Sequence, residues 1–598
     1  QPVVTSTKAN GYRLDKWFKL QTNGRINVII PWINGLTLQG NIAVDKAFNN
    51  VKVFHKPWFL YNWDGNSDHI TVPGKVGIVA PTLTQATNEA LQVTMNSYLS
   101  YDHTFNGVHN VRAQAGVEKQ TIDTALMTAR RENYLSPAVD QLFAGAADEF
   151  MTNNGSASHS SRLSYFGRLG YDFSNKYLLE FTWRYDGSYI FPKAKRFGFF
   201  PGVAGAWRAS KEKFWQENIH GIDEFKLRAS WGQTGNDRIT PFQYLSTYGF
   251  SGNYIYNVDD LVNNLIELRV PNPNVTWEVA NQSNVAMEMG FLNNRLTLTL
   301  EYFYNVRSQI LWIRNASIPA SGGLRLPPEN IGKVNNKGWE GIIEYRGSLG
   351  QFKYNAFLSG SFQKNKIVFW DETPGVPEYQ KSTGRPMGSQ LHYVSLGIFS
   401  DQGAVDKYPH WPGARPGDVI YQDVNGDNEI NGLDQVRNPK SDLPTFTGSF
   451  SLNLQYKQFD LSLLVQGASG SQKYITIEGG ESGNFYKLWA DNRWTSENTN
   501  TSYARTWDQT VPYWDNTRNS YWLYSSDYAR LKNVEIGYTL PLGLSKRVRI
   551  DGMRVYLSAL NLFTVSELTK KKMMDPESLD NYAYPLNKII NVGLTLNF

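Results

Sequence analysis

Apolar and polar residues alternate along much of this chain, and the clearest instance is its end. In IINVGLTLNF, residues 589–598, Ile590, Val592, Leu594, Leu596 and Phe598 fall on one side and Asn591, Gly593, Thr595 and Asn597 on the other. Successive side chains of a strand point to opposite faces, so this segment predicts a strand with one face of large apolar groups and one of small polar groups. In a soluble sandwich the apolar face would meet a second sheet, whereas in an outer-membrane barrel it would meet lipid while the polar face lined the lumen.

The pattern recurs. In NRLTLTLEYFYNV, Leu296, Leu298, Leu300, Tyr302 and Tyr304 alternate with Thr297, Thr299, Glu301, Phe303 and Asn305. KYLLEFTWRYDGS sets Leu179, Phe181, Trp183 and Tyr185 against Glu180, Thr182, Arg184 and Asp186, and TFTGSFSLNLQY behaves alike from Phe446 to Tyr456. Segments of this kind number roughly 16 to 18, and several reach the ten or so residues that cross a bilayer at a tilt. Short links join some of them, such as YDFSNKY, GFLNNRL and SLGQFKY; long connections run at 236–273, 308–335, 366–442 and 471–527. Short turns alternating with long loops are the asymmetry of a transmembrane antiparallel β-barrel, an all-β fold. The only predicted helix is SPAVDQLFAGAADEFMTN, residues 136–153.

Composition sharpens this picture. Of 598 residues, 41% are apolar, 14% aromatic and only 19% charged, against about 25% charged in an ordinary globular chain; the aromatics suit interface belts. The net charge of +5 leaves no concentrated basic footprint for nucleic acid. There is no Cys, which excludes disulfides and thiolate chemistry. No apolar run reaches the roughly 18 to 20 residues of a membrane helix, and a mean hydropathy of −0.44 decides nothing, because barrel strands hide their lipid face in alternation. The first residues lack the basic, apolar and small-residue zones of a signal peptide.

A dozen phrases, in order along most of the chain, resemble the SusC/RagA group of TonB-dependent outer-membrane transporters. They include IPWINGLTLQGN, FGRLGYDFSNKYLL, RYDGSYIFP, RFGFFPGVAGAWRASKEKFW, LRASWGQTGND, NPNVTWEVANQSNVAMEMGF, NNKGWEGIIEY, GDVIYQDVNGDNEI, YARLKNVEIGYTLP, RVYLSALNLFT, MMDPES and the final aromatic. The resemblance implies that the terminal strand ending at Phe598 is the signal read by the outer-membrane insertion machinery. It also implies a plug domain and a TonB-engaging segment, and nothing before Gly35 resembles either. A barrel of this type has 22 strands, so residues 1–598 are expected to be the C-terminal part of the barrel. An N-terminal, plug-bearing fragment would supply the rest, since an open sheet edge in lipid leaves unpaired backbone groups.

Two loops carry candidate chemistry. In DVNGDNEINGLD, within loop region 366–442, Asp423, Asn425 and Asp427 take positions 1, 3 and 5 of an EF-hand-like turn, Glu429 position 7, Asn431 position 9 and Asp434 position 12, a spacing that wraps oxygens around Ca2+. Ile430 supplies the apolar anchor, Asn428 stands where Gly is usual, and Asp434 is shorter than the usual Glu. The same stretch reads otherwise as an Asx-rich surface turn with solvated carboxylates. The aromatic-rich loop 471–527 holds Trp489, Trp494, Trp507, Trp514 and Trp522 among amides and carboxylates, suited either to stacking on a sugar or peptide or to packing the loop on itself.

Enzyme motifs are missing: there is no G-x-S-x-G elbow, P-loop, H-E-x-x-H or G-x-G-x-x-G. His103 and His109 straddle a hairpin turn as a possible metal pair. The resemblance therefore implies an integral barrel in a Gram-negative outer membrane, not an enzyme, importing oligosaccharides or peptides. Its partners would be a SusD-like lipoprotein lid, TonB acting through the N-terminal part, and outer-membrane lipid. A passive pore and a surface glycan-binding or adhesion protein are the alternatives.

Overall fold

The computed structural model describes residues 10–63, 70–76, 78–257, 260–314, 327–476, 486–506, 518–541, 543, 550–578 and 586–597. Two compact units emerge, residues 1–171, 180–201 and 240–242 in one, and 172–179, 202–239 and 243–598 in the other. Among the described residues, seventeen long strands of antiparallel sheet are shared out between them, within the number expected from alternation.

In the first unit, β1 (Gly11–Ile29), β2 (Leu36–His55), β3 (Thr82–Phe105) and β4 (His109–Arg131) pair in sequence order. Strands β5 (Thr152–Phe173), β6 (Tyr177–Ser188) and β7 (Phe197–Trp207) follow, with the unit boundaries falling inside them. Leu142 and Ala144 pack on a small core of Phe54, Leu83 and Tyr134. The helix predicted over 136–153 is absent: only a 3-10 turn, Leu142–Ala144, forms. A short helix is marginal without tertiary support, and here the tertiary contacts oppose it. Tyr12 donates to the Asp140 carboxylate and Lys52 lies 3.2 Å from it, which fixes the segment in an irregular course.

In the second unit, the last residues of β7 pair with β8 (Ile222–Asn236). An unbroken succession of neighbours continues through β9 (Glu278–Phe291), β10 (Leu296–Trp312), β11 (Glu329–Leu349), β12 (Phe352–Phe369), β13 (Phe446–Tyr456), β14 (Phe459–Ser469), β15 (Tyr528–Thr539), β16 (Gly552–Ser566) and β17 (Ile589–Asn597). Phe598 lies outside the described residues.

Register turns the alternation along each strand into two continuous faces. One row across β8 to β16 reads Phe225, Met289, Leu298, Ile343, Leu358, Phe450, Val465, Leu531 and Phe563. The adjacent row, one residue along, reads Lys226, Glu288, Thr299, Ile342, Ser359, Ser449, Gln466, Arg530 and Thr564. The polar face is bonded to itself: Lys226 and Arg228 reach Glu288 at 3.1 and 2.9 Å, and Ser359 meets Ser449 at 2.8 Å. Among the described residues no second layer covers the apolar face; Leu358 is 48% exposed and Phe563 61%. Aromatic side chains border it, Tyr345, Tyr354 and Tyr456 near the short turns and Tyr302, Trp339 and Phe362 near the long loops.

The long loops are folded. Loop 366–442 begins later than expected, because β12 continues to Phe369. Within it Leu391–Tyr393 pairs with Gln435–Arg437 and Ser395–Ile398 with Val419–Tyr421. In loop 471–527, Gln472–Tyr474 pairs with Leu523–Ser525. The two loops share one core of Tyr393, Val419, Tyr421, Ile430, Ile475, Trp489, Trp522 and Tyr524. A hairpin, Thr247–Asn257 with Asp260–Arg269, occupies the 236–273 connection.

The two faces predict opposite responses to the same substitution on β10. Leu300→Lys, on the apolar face, should lower folding stability by about 2–4 kcal/mol in a bilayer, as a cation does near the midplane, while Thr299→Lys should change it far less. Urea titration in lipid vesicles, read by heat-modifiable gel mobility, checks the difference.

Candidate functional site

Among the described residues, three cavities line the polar face of the second unit beneath the paired loops. The largest of the three, 860 Å³, lies over β9 to β12 and is walled by Gln282, Asn305, Arg307, Asn336, Gln363 and Asn365 and bordered by Lys337, Lys364 and Lys366, with Met387, Lys440, Ser441, Leu443, Pro444 and Thr445 from the loop. A second, 670 Å³, is lined by His392, Lys440, Asp442, Lys473, Tyr474, Arg518, Tyr528 and Glu577. A third, 440 Å³, lies over Glu340, Ser359, Ser361, Ser449 and Gln466 and shares Thr447, Ala468 and Tyr528 with the second. Lys440, Ser441, Leu443 and Pro444 wall both of the larger cavities. The lining offers hydroxyls, amides and a few charges, a donor and acceptor set suited to a hydroxylated or amide-bearing ligand.

Charged anchors hold this geometry. Arg530, fully buried on β15, donates to both oxygens of Asp575 at 2.8 and 2.7 Å, to Glu577, and to Thr564 at 3.0 Å. Tyr528 donates to Glu577 at 2.9 Å. The MMDPES phrase therefore pins its segment to the polar face, and its carboxylates are satisfied by an arginine placed 45 residues earlier for Asp575. Breaking a buried pair of this kind leaves an uncompensated charge, which is strongly destabilising.

His392 is buried. Its Nδ1–H donates to the Gln390 carbonyl at 3.0 Å while Nε2 accepts from Arg518 Nε at 3.2 Å. The neutral tautomer is thereby fixed, and burial, with the Arg518 charge beside it, pushes the imidazole down to about 4. Arg518 also lies 4.8 Å from the centre of the Tyr474 ring, a cation–π contact. Burial pushes the Tyr474 hydroxyl up to about 12, so it stays a donor at every physiological pH.

The predicted aromatic platform divides. Trp489 and Trp522, 1% and 3% exposed, are the centre of the loop core, 5.4 Å apart, so they organise the loops and offer no stacking face. Trp494 is half-buried over Gly417, where a Cβ would stand 2.8 Å from the indole, and its Nε1–H donates to the Ser400 carbonyl at 3.0 Å. Trp507 and Trp514 lie outside the described residues. The cavity residues His392, Lys473, Tyr474, Arg518 and Glu577 carry no local sequence signal except the MMDPES phrase.

In the acidic loop, Ile430 is buried in the loop core and Asn428 adopts φ +64°, as its position requires. The side chains close the loop on its own amides. Asp423 accepts from Gly426 and Asn428 at 2.7 and 2.8 Å, and Asp427 from Glu429 at 2.8 Å. Asn431 accepts from Leu433 at 2.8 Å. Asp434, fully buried, accepts from Val424 and Asn431 at 2.8 Å each. Asn425, Asp427 and Glu429 remain exposed. Bonds from Glu429 and Asn425 hold the Asp427 carboxyl below its usual range. Among the described residues, no three His, Asp or Glu side chains form a metal-binding cluster. His103 packs edge-on to Phe105, and His109 Nδ1 lies 2.9 Å from the Tyr171 hydroxyl.

A lipid-facing apolar surface, a bonded polar face and folded loops at one end define an integral outer-membrane β-barrel. The chain belongs to the TonB dependent receptor-like, beta-barrel family, whose model matches residues 7–562. It is 29% identical to TonB-dependent receptor P3 of Formosa agariphila over 84% of this chain and 50% of that protein. It is 26% identical to TonB-dependent receptor SusC of Bacteroides thetaiotaomicron over 74% of this chain and 44% of that protein. The chain thus spans about half the length of the curated relatives it matches. Its fold superposes on the RagAB peptide transporter with a TM-score of 0.78 at 21% identity, covering 98% of this chain and 62% of that one.

The depressed His392 pKa carries a sign. Between pH 6.5 and 4 the unfolded chain binds a proton that the folded loops exclude, so the histidine's contribution is complete above pH 6.5 and is lost as pH falls toward 4. His392→Gln should flatten this dependence, by on the order of 1–2 kcal/mol after solvent screening. Thermal melts followed by tryptophan fluorescence across that pH range check it.

Proposed function

We propose that this chain forms the wall and outer loops of a TonB-dependent importer of oligosaccharides or peptides. The observation that carries the reading is the run of three cavities along the polar face, roofed by loops that share a core. Substrate would be held by the amides and hydroxyls of the strands and by Lys473, Arg518 and Tyr528 at the loop side. A SusD-like lipoprotein would close over the loops, and a plug carried by an N-terminal part of the transporter would be displaced by TonB. Similarity to TonB-dependent receptors supports this, as does the likeness to the RagAB peptide transporter. A non-enzymatic role agrees with relatives that are receptors.

Uptake of labelled oligosaccharide and peptide pools, compared between cells with and without the gene, tests the proposal. Uptake should require the gene and collapse when an uncoupler removes the inner-membrane proton gradient. Gene-dependent uptake that survives the uncoupler would instead establish a passive pore.

A calcium ion in the Asp423–Asp434 loop is proposed on donor spacing alone. Millimolar calcium should raise the melting temperature of the wild-type protein and leave Asp427→Asn unchanged. An equal response of both, or of neither, contradicts it.

A further inference from the structure

On the apolar face, just beyond the aromatic border at the long-loop end, the register places three lysines together. Lys337 on β11 stands directly opposite Lys364 on β12, and Lys366 follows two residues on, opposite Asn335. All three are exposed. Facing residues of a ladder have Cβ atoms about 4.5–5.5 Å apart, and residues i and i+2 of one strand are roughly 6.6 Å apart, so three ammonium groups can converge on one small anion. The border beneath them is Trp339 opposite Phe362, with Tyr302 4.8 Å from Trp339 and Tyr304 opposite Lys337.

Like charges placed directly opposite destabilise a sheet, and among the described residues no carboxylate offsets this pair. Lys364 lies over the Phe362 ring, 5.5 Å from its centre. Among the described residues none of the three lysines has a carboxylate partner, in contrast to Lys226 and Arg228 on the polar face, which share Glu288. A cluster without counter-charge, standing where acyl chains give way to headgroups, needs an anion supplied by the membrane. The long-loop end of an outer-membrane barrel is extracellular, so that anion lies in the outer leaflet.

We propose that Lys337, Lys364 and Lys366 form a docking site on the membrane-facing surface for the phosphate of a phosphorylated glycolipid headgroup. Three flexible ammonium heads bracket one phosphate, Asn335 offers a further amide, and the acyl chains lie against Tyr302, Trp339 and Leu358 below. Lys337, Lys364 and Lys366 also border the 860 Å³ cavity along their strands, and the period-two rule places their side chains on the face opposite Asn336, Gln363 and Asn365.

The test uses the purified protein in its full complex, reconstituted in phosphatidylethanolamine vesicles with a bis-phosphorylated lipid A or with the same lipid A after phosphatase treatment. Retention of lipid A is read by native mass spectrometry. The wild type should retain the phosphorylated form preferentially. The triple variant K337Q/K364Q/K366Q should bind it more weakly by on the order of 10- to 100-fold, and the corresponding Lys→Arg variant should keep it. Equal retention of the two lipid forms by the wild type, or equal retention by wild type and Gln variant, would overturn the proposal. So would displacement of the lipid by inorganic phosphate at millimolar concentration, which would make free phosphate the ligand. If the Gln variant fails to insert, the wild-type comparison and the Arg variant decide the matter.

Discussion

A backbone amide in hydrocarbon has no water to bond, so every strand that meets lipid must find its partner in a neighbouring strand. Once that pairing fixes the register, the period of two converts sequence into surfaces. Leu298, Ile343 and Leu358 become neighbours on one face because Thr299, Ile342 and Ser359 become neighbours on the other. Ile342 is an exception to the polar row. The lumenal chemistry and the membrane belt thus follow from one constraint, and a one-residue slip would exchange them.

The loops obey a different constraint. They stand in water and must bury apolar groups of their own, which they do around Trp489, Trp522, Tyr393 and Tyr421. The backbone pair of Gln472–Tyr474 with Leu523–Ser525 carries the β14–β15 ladder onward into this core. Arg530 then ties the Asp575 and Glu577 segment to β15 beside the second cavity. A wall that satisfies lipid and a cap that satisfies water meet at these charged anchors, and the cavities lie between them. The lysines of β11 and β12 sit at the same level on the opposite face.

How much of this was legible in the sequence depended on range. The strands were, because alternation is local: Leu296 to Tyr304 and Ile589 to Asn597 were readable residue by residue. So was the left-handed Asn428 with its buried Ile430 neighbour, since a tight Asx-rich turn dictates both. The 136–153 segment misled because its helical spacing is real but its fate is set by Tyr12 and Lys52, more than 80 residues away. The tryptophans left two readings open, contact with a ligand or packing of the loop on itself. Composition shows that Trp489 and Trp522 are available for contact, but only the fold shows them buried in the loop core with their rings tilted at 43°. The cavity groups were hidden because His392 and Arg518, 126 residues apart, acquire meaning only once the loops pair.

The central claim is that neighbouring residues of one strand see lipid and water in turn. The natural chain has no cysteine, so single cysteines at each position from Thr297 to Tyr304 can be labelled in intact outer membranes with a membrane-impermeant maleimide after permeabilising the periplasmic side. The account predicts reaction that alternates with period two, with Thr297, Thr299, Glu301 and Phe303 on the accessible phase and Leu298, Leu300, Tyr302 and Tyr304 protected. Uniform labelling, or alternation in the opposite phase, would contradict it.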